Sequence, residues 1–407
     1  MRVLYISYDG MTDALGRSQV IPYLMGLAAK GHQLHVLSCE KPATLAAHRQ
    51  EVDAIFMEHG IGWTALKFST RPPGISKLFD ILSLKRAARR LHGRYDFDVV
   101  HCRSYIAAFA GLALKRSFGV PFVFDMRGFW ADERVEGNIW KLSNPFLRLT
   151  YHYFKKKEKL FFSQADAVVS LTHTGKTILA ENFGDAVAGN TSVIPCCTDL
   201  QLFSAKTIDP KYRAQWQQKL KLGNGDFVLS YLGSIGTWYM SGEMLAFFRR
   251  LLRVKPEARF LFITGEDPAY IMKEAAAAGV QPESIRVVKA HRNEVPVLLS
   301  LSDFSIFFIK PVFSKKASSP TKQGEIMSMG IPFITNTGIG DTDHIVADTG
   351  AGILVDEFSD QAYDQAISQM DAMLSLDPEH IRQSAATHFN LEEGVDAYHR
   401  IYQSLMR

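Results

Sequence analysis

Short apolar runs alternate with helix-length segments along this chain, and the alternation starts twice. RVLYIS (2–7), QLHVLSC (33–39), WTALKF, DVVHCR (98–103), PFVFDMR (121–127), DAVVSLT (166–172) and TSVIPCC (191–197) make the first series. FVLSYLGS (227–234), ARFLFIT (258–264), SIRVVKA (284–290), DFSIFFI (303–309), PFITN (332–336) and GILVD (352–356) make the second. Strands and helices in strict alternation build parallel sheets with right-handed crossovers. The expected class is therefore α/β, with two doubly wound, Rossmann-like domains facing a cleft. The polar stretch 198–225 is the natural connection, which sets the domains at 1–197 and 226–385, with terminal helices over 386–407.

Bulk properties exclude several classes. No apolar run reaches the roughly 20 residues of a spanning helix, and MRVLYISYDG does not read as a signal peptide. The expected location is the cytoplasm. Four cysteines stand at 39, 102, 196 and 197, without the paired spacing of a zinc site, so reduced thiols are expected and no metal site. Residues 1–195 hold 25 Lys/Arg against 17 Asp/Glu, a balance of +8, whereas the remainder carries −4. That asymmetry predicts different partners for the two halves.

The richest stretch for chemistry is KPVFSKKASSPTKQGEIMSMGIPFITN (310–336). It runs from a buried strand through a polar loop into a helix closed by Gly330, and then into another strand. The unpaired first-turn amides and the dipole of such a helix favour an anion, and Lys322 adds a full charge. Glu325, one turn deeper, would repel phosphate but suits neutral hydroxyls such as those of a ribose. Together these point to a nucleotide; a solvated Lys322 and a surface salt bridge at Glu325 are the plainer alternative.

Three other strand ends qualify as binding loops. DGMTDALGRSQ places Gly16 where backbone can approach a phosphate or sugar, or simply turn. FVFDMRG brings Asp125 and Arg127 to the end of one strand, on a shared face, as sugar ligands or as a structural ion pair. YLGSIG offers Gly233, Ser234 and Gly236 as an anion nest or a turn. Gly265 and Glu266 of TGEDPAYI are expected to line the same cleft. No GxGxxG with a later ribose-binding acid is present, which disfavours a nicotinamide dehydrogenase.

With these motifs in view, the chain resembles the glycosyltransferases of family 4, which have a GT-B fold. The resemblance rests on the first strand and glycine loop, DVVHCR, ADAVVSLTHTGKTIL, VIPCCTDLQLF, YLGSIG, SPTKQGEIMSMGIPFIT and the closing FNLEEGVDAYHRIY. It implies retaining transfer of a sugar from a nucleotide diphosphate to an acceptor, usually without metal, with the nucleotide sugar as co-substrate and no other cofactor. It also implies that the last helix crosses back toward the first domain. Carried onto this sequence, Glu325 would hold the ribose, and Ser319, Pro320, Thr321 and Lys322 the diphosphate. Gly16, Gly233, Ser234 and Gly265 would line the substrate. Asp125, Arg127 and Lys322 are the candidate catalytic groups.

The sequence also departs from the family pattern. The first family glutamate falls on Ala317, the Arg and Lys expected after the first strand of the second domain are absent from GSIGTWYMSGE, and the usual Asn-Gly reads Cys196-Cys197. The family histidine at the end of the fifth strand is replaced by the Asp125–Arg127 region. These changes leave the sugar side of the site blank and put weight on Lys322. A saccharide or lipid-linked saccharide is the expected acceptor, in cell-surface polysaccharide or glycoconjugate synthesis. SKLFDILSLKRAARRLHGRY (76–95) and YHYFKKKEKLFF (151–162) mix basic and aromatic residues in a way that suits the anionic inner face of a membrane or a solvated surface. Nucleic acid is not expected. A nucleotide-sugar epimerase of similar fold and a non-catalytic two-domain binding protein are the rival readings.

Overall fold

A computed structural model describes residues 1–69 and 76–406. The chain forms two compact units, Met1–Pro195 together with Leu391–Arg407 in the first and Cys196–Asn390 in the second. The first unit is built on a seven-stranded sheet of β1 (Arg2–Ser7), β2 (Gln33–Glu40), β3 (Gly62–Lys67), β4 (Val99–Arg103), β5 (Phe122–Asp125), β6 (Ala167–Ser170) and β7 (Thr191–Val193). Its spatial order is β3-β2-β1-β4-β5-β6-β7 and its pairings are parallel. The second contains β8 (Val228–Leu232), β9 (Arg259–Ile263), β10 (Ile285–Val288), β11 (Phe304–Phe307), β12 (Phe333–Asn336) and β13 (Gly352–Val355). These are also parallel, in the order β10-β9-β8-β11-β12-β13. Both sheets are doubly wound, the α/β fold expected.

The apolar runs fold this way because crossover helices cover both faces of each sheet, so alternate residues have no wet face to choose. Phe304, Ile306 and Phe307 of β11 are all fully buried, as are Phe122, Val123 and Phe124 of β5. Helix starts follow local chemistry. Asn144, Asp209, Asp267 and Asp377 each precede a proline, and each side chain accepts a hydrogen bond from a first-turn amide. Proline at the first helical position gives up no needed donor.

Two stretches differ from expectation. The segment 198–225 belongs to the second unit, where the Pro210–Lys219 helix buries Trp216 in the core. Gly16 lies inside a short helix, Ala14–Gln19, rather than in a loop. The helix begins there because the Arg17 amide already reaches the Asp13 carbonyl at 3.0 Å. The four cysteines are free and buried.

Candidate active site

In each sheet the two central strands have connections that leave in opposite directions, and ligands of doubly wound sheets bind outside the carboxyl ends of such strands. In the second unit those strands are β8 and β11. Gly233 follows β8 with φ +116°, a conformation that disfavours any side chain, and a Cβ there would stand 3.1 Å from Lys322 Nζ. Lys322 enters from the other strand of the pair. It sits in the first turn of the Thr321–Ser328 helix, which follows β11, and its side chain runs beneath the Gly233 turn.

The surroundings of Lys322 are aromatic. Nζ donates to Tyr231 Oη at 3.0 Å, and that hydroxyl donates to the Ser234 carbonyl at 2.6 Å. Nζ also lies 3.5 Å from the Tyr239 ring centre and 4.2 Å from that of Tyr231, within cation–π range. Among the described residues no ion pair joins Lys322 to a carboxylate. Burial therefore pushes its pKa well below the ordinary lysine range, against a partial upward pull from Glu325. An anion brought beside Nζ reverses that shift, because an opposite charge favours the protonated form.

The start of the helix is open to the same anion. Pro320 is extended and supplies no side-chain cap. The Gln323 amide bonds the Pro320 carbonyl at 3.0 Å, while the Thr321 and Lys322 amides precede the first intrahelical acceptor. Ser319 Oγ accepts from the Cys196 amide at 3.1 Å, which fixes the loop in front of the helix. Gly265 follows β9, and the Gly233 amide donates to the Ile263 carbonyl at 3.0 Å, so the turns after β8 and β9 lie side by side.

Glu325 is buried, so its ion pair is not one between two solvated side chains. Its Oε1 accepts from Arg292 Nη1, and the Arg292 guanidinium rests 4.6 Å from the Phe203 ring centre. Burial raises the Glu325 pKa, with Arg292 and then Lys322 holding it down. Arg292, Tyr231 and Tyr239 did not stand out in the sequence. Arg292 is in HRNE, an ordinary polar turn, and no local spacing links it to a carboxylate in another helix.

The first unit gathers its own charged residues, at the ends of β4 and β5. Asp125 is buried and accepts from Tyr398 Oη at 3.0 Å; His101 Nε2 and Arg127 Nη1 stand 3.6 and 3.8 Å from the same oxygen. His101 Nδ1 meets Tyr402 Oη at 2.6 Å. Burial raises the Asp125 pKa, but Arg127, His101 and Arg103 together outweigh it, so the net direction is down. Burial lowers that of His101. A neutral His101 with its proton on Nε2 lets Tyr402 donate to Nδ1 and turns the N–H toward Asp125, although at 3.6 Å Nε2 makes no hydrogen bond. Arg127 holds φ at +58°, in the left-handed region. Asp125, Arg103 and Arg127 border a cavity of about 10 Å³, room for about one water. Asp125 Oδ1 and Arg103 Nε are buried there without a hydrogen-bond partner.

Gly16 has a packing role in this unit. A Cβ on it would come within 2.1 Å of the Gly10 carbonyl oxygen. The loop it closes is already tied to a carboxylate: buried Glu40, at the end of β2, accepts from the Met11 amide at 2.7 Å and from the Thr12 hydroxyl at 2.5 Å. The Met11 and Thr12 amides of this loop are thus engaged within the fold.

Two family models match the chain, Glycosyltransferase Family 4 over residues 23–202 and Glycosyl transferases group 1 over residues 213–380. The chain belongs to the family 4 glycosyltransferases. Solved structures agree on its GT-B fold. Sucrose-phosphate synthase from Thermosynechococcus elongatus is 16% identical, with 100% of this chain and 99% of that one aligned at a TM-score of 0.74. HepE from Anabaena, solved with UDP-glucose, is 14% identical over 99% of this chain and all of its own, at 0.71. UDP-GlcNAc 2-epimerase from Neisseria meningitidis is 14% identical over 98% and 99%, at a lower 0.61. No curated protein matches the chain by sequence. The epimerase shares the architecture alone, whereas both family models are those of glycosyltransferases, and a non-catalytic binding protein is set aside on the same ground. In this glycosyltransferase, Lys322, Gly233, Ser234 and Thr321 meet at one end of the second sheet. Asp125, Arg127 and Gly16 lie in the first unit.

Proposed function

We propose that the second unit binds a nucleotide diphosphate sugar and that the enzyme transfers the sugar with retention to a saccharide or lipid-linked saccharide. One observation carries this reading: Lys322 is buried beneath the Gly233 turn at an uncapped helix N-terminus, held by two tyrosine rings and by no paired carboxylate. The diphosphate takes the amides of Thr321 and Lys322 and the charge of Nζ. Lys322 thus stands in for the Arg and Lys missing after β8. Glu325, oriented by Arg292, accepts from the ribose hydroxyls.

As the bond from the sugar to the diphosphate breaks, negative charge grows on the leaving oxygen beside Lys322, where a preorganised donor acts most strongly. The acceptor hydroxyl forms the new bond to the sugar and its proton leaves with the nucleoside diphosphate. The first unit supplies the acceptor side, with Asp125 and Arg127 as its charged groups. No resident metal is invoked: Lys322 and the helix amides answer the leaving charge. The site of action is the cytoplasm, at the inner face of a membrane when the acceptor is lipid-linked, and the pathway is cell-surface polysaccharide or glycoconjugate synthesis.

The test is turnover of a panel of nucleotide sugars, beginning with UDP-glucose because HepE was solved with it. Lys322→Ala and Glu325→Ala are each expected to lower kcat/KM about tenfold or more, since a hydrogen bond to a charged group contributes roughly 1.5–3 kcal/mol. Unchanged turnover in both would refute the site. Conversion of a UDP-sugar to its epimer without any acceptor would refute the transferase reaction.

A further inference from the structure

The basic, aromatic helices of the first unit are not used by the donor chemistry, and their side chains sort by charge. The Pro145–Gln164 helix has five Lys/Arg and a single acid, Glu158; the Ser76–Tyr95 helix has six and a single acid, Asp80. Both acids are buried. Glu158 bonds Lys155 and Tyr105, and Asp80 bonds Tyr8. The outer faces are thus left with cations only.

The outer face of the Pro145–Gln164 helix also carries exposed apolar and aromatic residues. Phe146 is 61% exposed, Leu149 69% and Tyr153 46%. At 3.6 residues per turn these three, with Lys157 and Leu160, fall within about 80° of one another. The Ser76–Tyr95 helix repeats the arrangement with exposed Leu78, Phe79 and Leu82. The two helices are joined through Phe109, whose ring is stacked on Tyr153 at 6.3 Å and capped by Lys85 Nζ at 5.5 Å. Burial lowers the Lys85 pKa, and Lys157, Arg89 and Arg116 lower it further by repulsion, so four cations crowd this face.

At the far end of the stripe is a groove of about 440 Å³, rimmed by Lys156, Lys157 and Lys159 and floored by Leu160, Phe183 and Val187. Cations around an apolar floor match a lipid phosphate with its attached chain. A purely solvated basic face would have no reason to expose Phe146 and Leu149 beside the lysines. No described helix is long and apolar enough to cross a membrane, so the fit is to an interface, where a helix of this kind lies flat with its apolar side among the headgroups.

We infer that the first unit docks on an anionic phospholipid bilayer through the outer face of Pro145–Gln164, extended by Ser76–Tyr95, and that the lysine-rimmed groove holds one lipid phosphate.

The experiment is co-sedimentation of the full chain with vesicles of phosphatidylcholine alone, or with ~30% phosphatidylglycerol, at low and high salt. Binding is expected only to the anionic vesicles and to fall steeply with salt. Lys156→Glu/Lys159→Glu should weaken it about tenfold or more, and Phe146→Glu/Leu149→Glu by a comparable factor. All four positions are outside the core, so these variants should fold, checked by an unchanged melting temperature. Lys211→Glu/Lys273→Glu makes the same charge change in the second unit and should bind as the parent does. No binding of the parent to anionic vesicles overturns the inference. So does equal loss in the control pair, which would mean net charge alone, or full binding by the Phe146/Leu149 variant, which would mean adsorption without insertion. Salt-insensitive self-association lost in the Phe146/Leu149 variant, with no vesicle binding, would assign the face to a second copy. The measurement needs no nucleotide, so its failure leaves the donor site untouched.

Discussion

Each unit buries charge at the switch point of its sheet, and the two do it in opposite ways. In the first, Asp125 is ringed by His101, Arg127, Arg103 and Tyr398, so positive and negative groups answer one another within the fold. In the second, Glu325 is taken by Arg292, and Lys322 is left with tyrosines. A buried ion pair has little net effect on stability but is costly to break from one side, whereas a buried charge without a counterion costs free energy until one arrives. The difference separates a charge balanced by its own chain from one left for a ligand to balance. The C-terminal helix, Leu391–Ser404, supplies Tyr398 and Tyr402 to the first network. Closure of that network is thus also what holds the end of the chain to the first sheet.

The largest effect should come from opening the charge-balanced network of the first unit. Asp125→Ala removes the buried carboxylate that faces Arg127 and accepts from the Tyr398 hydroxyl, and one-sided removal of a buried pair costs about 3–5 kcal/mol. Chemical denaturation should show that loss. Tyr398→Phe should cost less, roughly 1–3 kcal/mol for the carboxylate lone pair left without its donor. If Asp125→Ala were as stable as the parent, the charge balance in the first unit would not support its fold, and the contrast between the units would fail.

The second unit should respond in reverse. Lys322→Met keeps the length and packing of the side chain and removes a charge that burial disfavours. The folded-state pKa of Lys322 lies below its ordinary value, so below that ordinary value the unfolded chain holds this proton more readily, and the native state bears a penalty that methionine lacks. Lys322→Met should therefore be as stable as the parent, or more so, while its affinity for UDP falls about tenfold or more. In the parent, UDP binding should take up a proton once the pH exceeds the lowered pKa, seen as a dependence of the calorimetric heat on buffer ionisation. A destabilised Lys322→Met with intact UDP affinity would make this lysine structural.

How much of this was legible in the sequence follows from how far apart the interacting residues are. The two sheets were legible because burial on both faces leaves each strand as an uninterrupted apolar run, such as DFSIFFI. The Lys322 helix was legible because its loop, start and Gly330 stop lie within one stretch. The pairs Arg292–Glu325, Tyr231–Lys322 and Asp125–Tyr398 were not, since they join residues 33, 91 and 273 positions apart. Nothing in local spacing encodes such contacts. The Glu40 carboxylate beneath the glycine loop was hidden for the same reason, 29 positions from the amide it holds. Its one trace is an acid ending an otherwise apolar strand, QLHVLSCE.

The smallest predicted effect is a pH dependence that belongs to the first unit alone. His32 Nε2 lies 2.8 Å from His399 Nδ1 on the C-terminal helix, and the side chain of His32 is almost wholly covered. Burial first, then the nearby N-terminal amine and His399, lower its pKa to about 4 from an ordinary 6.5. Between these values the unfolded chain binds a proton that the native state refuses, so stability rises with pH across this window. Acidification from about pH 6.5 toward 4 should therefore weaken the seat of the Leu391–Ser404 helix, with no further loss from this group below about 4. His32→Asn should flatten the slope of melting temperature against pH in that window. Amide exchange should locate the acid-induced opening in the Leu391–Ser404 helix before it reaches β11. Opening that begins instead around Lys322, or an unchanged slope in His32→Asn, would detach the C-terminal helix from the proton balance of the first unit.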